Sequence, residues 1–141
     1  MSLKELTIPS APVQTPGGEF SVRGLSLDDL TYILQRHAVE VSQIVSTIEA
    51  KKGEIGNDLL SEMAVGLIQS APDVAAEVIA VAAGELDQVT KVRMLPFPVQ
   101  LDAMEKIGNL TFEVYGGPKK VLEAVIRLAK GTTSLLGRLS T

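Results

Sequence analysis

The chain has 141 residues, enough for one domain with a substantial core. Hydrophobic side chains make up 45% and aromatics 4%, so that core must be built from Leu, Val, Ile and Ala, which suits close-packed helices better than a β-sandwich. With no cysteine and one histidine, disulfides, thiol nucleophiles, zinc–thiolate sites and most nucleophile–base triads are excluded, and a net charge of −4 argues against a nucleic-acid groove.

Met1 to Arg23 carries Pro9, Pro12, Pro16, Gly17 and Gly18, a density of breakers that no helix survives. Residues 1–24 therefore read as an extended N-terminal arm, either disordered or laid on a neighbour. Within it Glu19-Phe20-Ser21-Val22-Arg23 alternates as a short strand does. The N-terminus lacks a basic region followed by an apolar one, so no secretion signal is expected. The longest apolar run is broken at Glu77, well short of a membrane span. The chain reads as cytoplasmic, with neither a membrane nor a nucleic acid as partner.

A helical domain is expected over residues 25–131. Its first helix spans Gly24 to Lys52. Ser26 caps it and Asp29 answers three residues on, a capping box with Asp in place of Glu, while Leu25 and Leu30 are placed to staple the entry. Leu27, Leu30, Leu34, Val41, Ile44, Val45 and Ile48 then recur at spacings of three and four, which puts them on one inward stripe. Lys51 and Lys52 suit the negative helix end and Gly53 stops it. A second helix over Asn57–Gln69 turns Leu60, Met63, Leu67 and Ile68 inward, and its mid-helix Gly66 suggests a close crossing against the first helix.

Ser70 to Gly84 is the central helix. Ser70 is placed to cap it, Pro72 sits in the first turn where no N–H is lost, and Gly84 supplies a left-handed stop. Winding it at 3.6 residues per turn puts Val74, Val78 and Val81 on one face and Ala75, Ile79 and Ala82 beside them. Only Asp73, Glu77 and Ala80 are left to meet water, so this helix belongs among others. Glu85–Leu95 reads as a short helix. Pro98 opens another through Leu101, Met104, Gly108 and Phe112, although Leu110–Tyr115 also alternates like a strand. Pro118 starts a last helix with Val121, Leu122, Val125, Leu128 and Ala129 inward, closed by Gly131, and residues 132–141 form a flexible tail. Residues 118–141 carry five basic side chains against Glu123 alone, a basic end on an acidic body that reads as a solvated helix face. The expected fold is all-α, a compact bundle or layered stack of five to six helices behind an extended arm.

Few residues in this pattern carry chemistry. His37 falls on the apolar stripe between Leu34 and Val41. It is either a general base or pH switch, or a half-buried histidine with a hydrogen-bond partner; no serine, cysteine or carboxylate stands beside it in sequence to form a dyad, which favours the second. Asp28-Asp29 is accounted for by a helix first turn without a cation. Gly116-Gly117-Pro118-Lys119-Lys120 sets free N–H groups and Lys at a helix start but lacks the Walker spacing, and reads as a plain turn. Met63 and Met104 belong to the core. Met94-Leu95-Pro96-Phe97 is different: large apolar side chains beside two prolines, where no regular element hides them all. Leu135, Leu136 and Leu139 make one further sticky turn. Met94, Leu95, Phe97, Leu135, Leu136 and Leu139 are therefore the candidate partner-binding residues, and no catalytic residue, metal ligand or cofactor is expected.

Three segments carry a family resemblance. They are Phe20-Ser21-Val22-Arg23-Gly24-Leu25-Ser26-Leu27-Asp28-Asp29-Leu30, then Ala71-Pro72-Asp73-Val74-Ala75-Ala76-Glu77-Val78-Ile79-Ala80, then Leu95-Pro96 with Gln100-Leu101-Asp102-Ala103-Met104 to Leu110-Thr111-Phe112. In order and spacing the chain resembles the small tail assembly chaperones of long-tailed bacteriophages, the pre-tape-measure proteins, from about Phe20 to Lys130. The resemblance implies a non-enzymatic protein that binds the tape-measure protein, keeps it soluble in the host cytoplasm, and is absent from the finished virion. It also implies that a ribosomal frameshift can append a domain recruiting tail-tube protein, this chain being the unshifted product. The physics is compatible: a long apolar-striped client needs a partner with an apolar groove, net charge for solubility, and many weak contacts, which calls for self-association or many copies along the client. The competing readings are a generic helical adaptor or regulator with one protein partner, and a small enzyme using His37 or the Gly116–Lys120 turn.

Overall fold

The computed structural model describes residues 2–50, 59–112 and Arg127. Strands β1 (Ser10–Thr15) and β2 (Gly18–Arg23) come first. Among the described residues six α-helices of given bounds follow: α1 (Leu27–Arg36), α2 (Ala38–Ala50), α3 (Leu59–Ser70), α4 (Pro72–Ala82), α5 (Val89–Arg93) and α6 (Phe97–Phe112), with a 3₁₀ turn at Leu86–Gln88 before α5. The expected helix over 118–131 and the tail lie outside the described residues, apart from Arg127.

The fold is mostly helical but not all-α, because the N-terminal segment is a β-hairpin and not a plain arm. Pro16-Gly17 turns the chain, Thr15 pairs with Gly18, and the antiparallel register runs out to Ser10 opposite Arg23. The Thr15 hydroxyl donates to the Gly18 carbonyl at 2.8 Å, and Gly18 takes a φ of +144° that a side chain would resist. With side chains alternating across the pleat, Val13 and Val22 face α6 and α4 and are 0% and 1% exposed, while Pro12, Gln14, Glu19 and Ser21 face out. The breakers that forbid a helix here are the turn residues of a hairpin that closes the core.

Helix α4 is central, as its pattern requires. It packs against α3, α5, α6, α1 and β2, and Ile79 and Ala80 are fully buried. Gly84 ends it at φ +72° in a complete Schellman arrangement, with Glu85 N–H donating to Ala80 C=O and Gly84 N–H to Val81 C=O. Two details differ from expectation. Ser70 is the last residue of α3 and does not cap α4; the cap position is Ala71, with no side-chain hydrogen bond, because α3 runs directly into Pro72. And of the strip expected to face water only Asp73 does: Ala80 is 0% and Glu77 4% exposed.

The long first helix is divided. The capping box forms as read, Asp29 N–H donating to Ser26 Oγ at 3.1 Å and Ser26 N–H to Asp29 Oδ2 at 2.8 Å. The chain then bends at His37 (φ −128°, ψ 43°), still bonded at both ends through Ile33 C=O and Val41 N–H. On a straight helix, adjacent side chains point about 100° apart. The bend lets Arg36 and His37 meet the same carboxylate, that of Glu77. Leu27, read as inward, is 65% exposed; Leu34 is buried as read, and Ile33, which was not on that stripe, is buried beside it.

Among the described residues Gly66 marks no close crossing. A Cβ there would meet nothing within 4 Å, and α3 packs on α4 and α6. Gly66→Ala should stabilise the protein by about 0.5–1 kcal/mol, read as a raised urea midpoint at unchanged slope. The close approach is at Gly24, where a Cβ would sit 2.9 Å from the Leu110 carbonyl oxygen. There the chain between hairpin and α1 lies on the end of α6. Leu25 N–H donates to Thr111 Oγ1 at 3.0 Å, and that buried hydroxyl donates to Ile107 C=O at 2.6 Å. Of the two readings of Leu110–Tyr115, the helical one holds through Phe112.

Arg23 ties hairpin, α1 and α4 together. Its guanidinium reaches Asp29 Oδ2 at 2.5 Å, the Gly24 carbonyl at 3.0 Å and the Val81 carbonyl at 3.2 Å. Burial pushes the Asp29 carboxyl up, but Arg23 and Ser26 together outweigh it and hold it below the ordinary carboxylate value. The hydrogen bond to Asp29 likewise outweighs burial for Arg23 and raises it. A carboxyl depressed in the folded state stabilises above the unfolded value of about 4, and that contribution disappears as pH falls through the folded value. Asp29→Asn should therefore flatten the acid limb of the stability–pH profile.

Candidate partner-binding surface

The corner where α4, α5 and the start of α6 meet β2 carries the exposed apolar run expected from the sequence. Helix α5 has only five residues and ends on short-range backbone bonds, Met94 N–H to Lys91 C=O and Leu95 N–H to Val92 C=O, both at 3.1 Å. Gln100, one turn into α6, closes it: its side-chain amide donates to the carbonyls of Val92 at 2.9 Å and Leu95 at 3.2 Å. Val92 anchors the other side in the core. Asp73 and Arg93 add an ion pair at 2.5 Å, too exposed to matter much for stability. The link Met94–Pro96 is therefore held on a defined path while its side chains are left outside. Met94 is 80% and Phe97 45% exposed, and Leu95 is half-buried.

Beside this run lies a groove of about 380 Å³. Phe20, Ile79, Ala80, Ala83, Val92 and Leu95 form its apolar floor, and Glu85, Gln88 and Lys91 its polar rim. Leu86, 40% exposed, is next to that rim in sequence. An apolar floor with a charged edge suits an apolar side chain presented on an amphipathic segment. Of the six candidate contact residues the structure brings Met94, Leu95 and Phe97 together here; Leu135, Leu136 and Leu139 lie outside the described residues. The sequence reading missed Gln100 as the support and Phe20 as a groove wall. It also passed over Leu3, Leu6 and Ile8, which are 87%, 57% and 65% exposed ahead of β1. Their recurrence among polar residues, Leu3-Lys4-Glu5-Leu6-Thr7-Ile8, was the available signal.

His37 has the hydrogen-bond partner its half-buried position called for. Its Nε2 meets Glu77 Oε2, and Arg36 Nε lies 2.6 Å from Oε1 as an ion pair, its N–H aimed off that oxygen. Arg36 also stacks over the Tyr32 ring, 5.6 Å from its centroid. The carboxylate that His37 meets comes from α4, 40 residues on. One anion held by two basic groups locks helices together, and that is the role this geometry supports. Among the described residues no group of three His, Cys, Asp or Glu side chains could hold a metal ion, and no helix is long and apolar enough to cross a membrane.

Compared with known proteins, the chain matches neither a curated protein nor a solved structure. It does match, over residues 1–141, the family described as pre-tape measure protein, whose name points to phage tail assembly. The whole length is covered, and the chain belongs to the pre-tape measure protein family.

Proposed function

We propose that this chain is a phage tail assembly chaperone that binds the tape-measure protein and keeps it soluble while the tail is built. It works in the host cytoplasm, leaves before the virion is complete, and carries out no catalysis. The observation that carries the reading is the corner at Met94–Phe97. A small protein of net charge −4 holds large apolar side chains outside its core, on a path fixed by Gln100, next to an apolar groove. Membership in the pre-tape measure family supplies the client. Each such contact is weak, so retention comes from many copies along one long client, and release follows when the tube displaces them. A frameshift-extended form would add the contact to tail-tube protein. Co-expression is the test: the tape-measure protein should move from the insoluble to the soluble fraction and copurify with this chain. A client equally insoluble with and without it removes the proposal.

A further inference from the structure

We propose that the outer edge of β2 is a self-association seam, on which two copies of this chain pair β2 with β2 antiparallel about a two-fold axis at Ser21. The inference rests on the many-copy reading above and gives the self-association expected from the sequence an interface. The hairpin register fixes which backbone groups are free. Pro12 has no N–H to give, so its pair with Ser21 is a non-bonded one, and alternation makes Ala11–Val22, Val13–Phe20 and Thr15–Gly18 the bonded pairs. Glu19, Ser21 and Arg23 then direct their N–H and C=O groups away from β1. The outer edge of β1 is guarded, by Pro12 itself and by Lys106 Nζ, which donates to the Pro12 carbonyl at 2.6 Å. β2 has no such guard: among the described residues the sheet has two strands, and Glu19 and Ser21 are exposed.

The side chains on this edge are complementary to themselves in one register only. With Ser21 opposite Ser21 of the second copy, Glu19 faces Arg23 of the copy on the outer face, twice by symmetry, and Phe20 faces Val22 on the inner face. Centring the pair on Glu19 or on Arg23 would set like charges directly opposite each other. Arg23 spends Nη1 and Nη2 within its own chain, but its Nε–H has no acceptor among the described residues and is the donor left for Glu19 of the second copy.

The chain has no cysteine, so a single thiol is a clean probe. Bonded antiparallel partners have Cα atoms about 5.5 Å apart, within disulfide range. Under mild oxidation, isolated Ser21→Cys protein should convert mostly to a disulfide-linked dimer, while Gln14→Cys, exposed on the same face of β1, should not. By light scattering the wild-type chain should be dimeric at tens of micromolar. Ser21→Pro removes an N–H its own hairpin does not use, so it should weaken that dimer about tenfold or more with an unchanged circular dichroism spectrum. Glu19→Lys should weaken it as well. A monomeric wild type, equal cross-linking at positions 14 and 21, or a dimer indifferent to both substitutions would overturn the proposal. Every arm uses the chain without its client, so failure here leaves the client-binding result to be judged separately.

Discussion

His37→Leu lowers the unfolding free energy by about 2–3 kcal/mol, and adding Glu77→Met to it returns most of that loss. The reason is the burial of Glu77, whose side chain is 5% exposed against 13% for His37 and 57% for Arg36. Without His37 the carboxylate keeps one partner, Arg36, which is half in water and not aligned with the oxygen it faces. The cost comes from a buried anion stripped of its hydrogen bond, so making position 77 apolar takes the cost away. Urea unfolding of the two single variants and the double variant checks this. Client binding should survive in all three, because the contact His37 makes is the one that holds α4 to the α1–α2 bend.

Deleting residues 1–24 abolishes the cooperative unfolding transition. Val13 and Val22 are among the most buried side chains in the protein, and losing them removes about 3 kcal/mol of burial by themselves. Their departure also opens the faces of α4 and α6 that carry Ile79 and Ile107, and severs Arg23 from Asp29 and Val81. Domains of this size have about 5–15 kcal/mol to lose. Thermal unfolding followed by circular dichroism should show a broad, probe-dependent melt in place of one transition. A truncated chain that still melts sharply would mean that the hairpin is an accessory laid on a self-sufficient helical core.

The parts of the fold written in local signals were legible. Ser26 and Asp29 announce a capping box, Gly84 a left-handed stop, Pro72 and Pro98 helix starts, and each is found in place. The parts set by long-range contact were not. Glu77 reads as a solvent-facing residue on a helical wheel because its partners lie 40 residues back, at the bend that its own carboxylate helps to make. Gly66 reads as a crossing point and Gly24 only as a helix start, yet the packing of Leu110 puts the close approach at Gly24. Of the hairpin only the second strand was legible, as the alternation over Glu19–Arg23; the first strand and the pairing were not read, although Val13 and Thr15 stand on one side of Pro16-Gly17 and Phe20 and Val22 on the other. Read together, those alternations make a turn of residues that singly look like breakers. At the candidate surface, Met94 and Phe97 stood out because no regular element could bury them. Gln100 did not, since capping another helix's end leaves no mark in the sequence.

On the proposed function, the Met94–Phe97 corner holds the client. Co-expressing the tape-measure protein with wild type and with a Met94→Asp, Phe97→Asp double variant tests it most directly. Both positions are exposed, so the variant should keep the wild-type melting curve. This folded variant should leave the client in the pellet and lose at least about tenfold in copurified client, as expected when two apolar anchors are replaced by charges. A double variant that melts like wild type and solubilises the client just as well would contradict it.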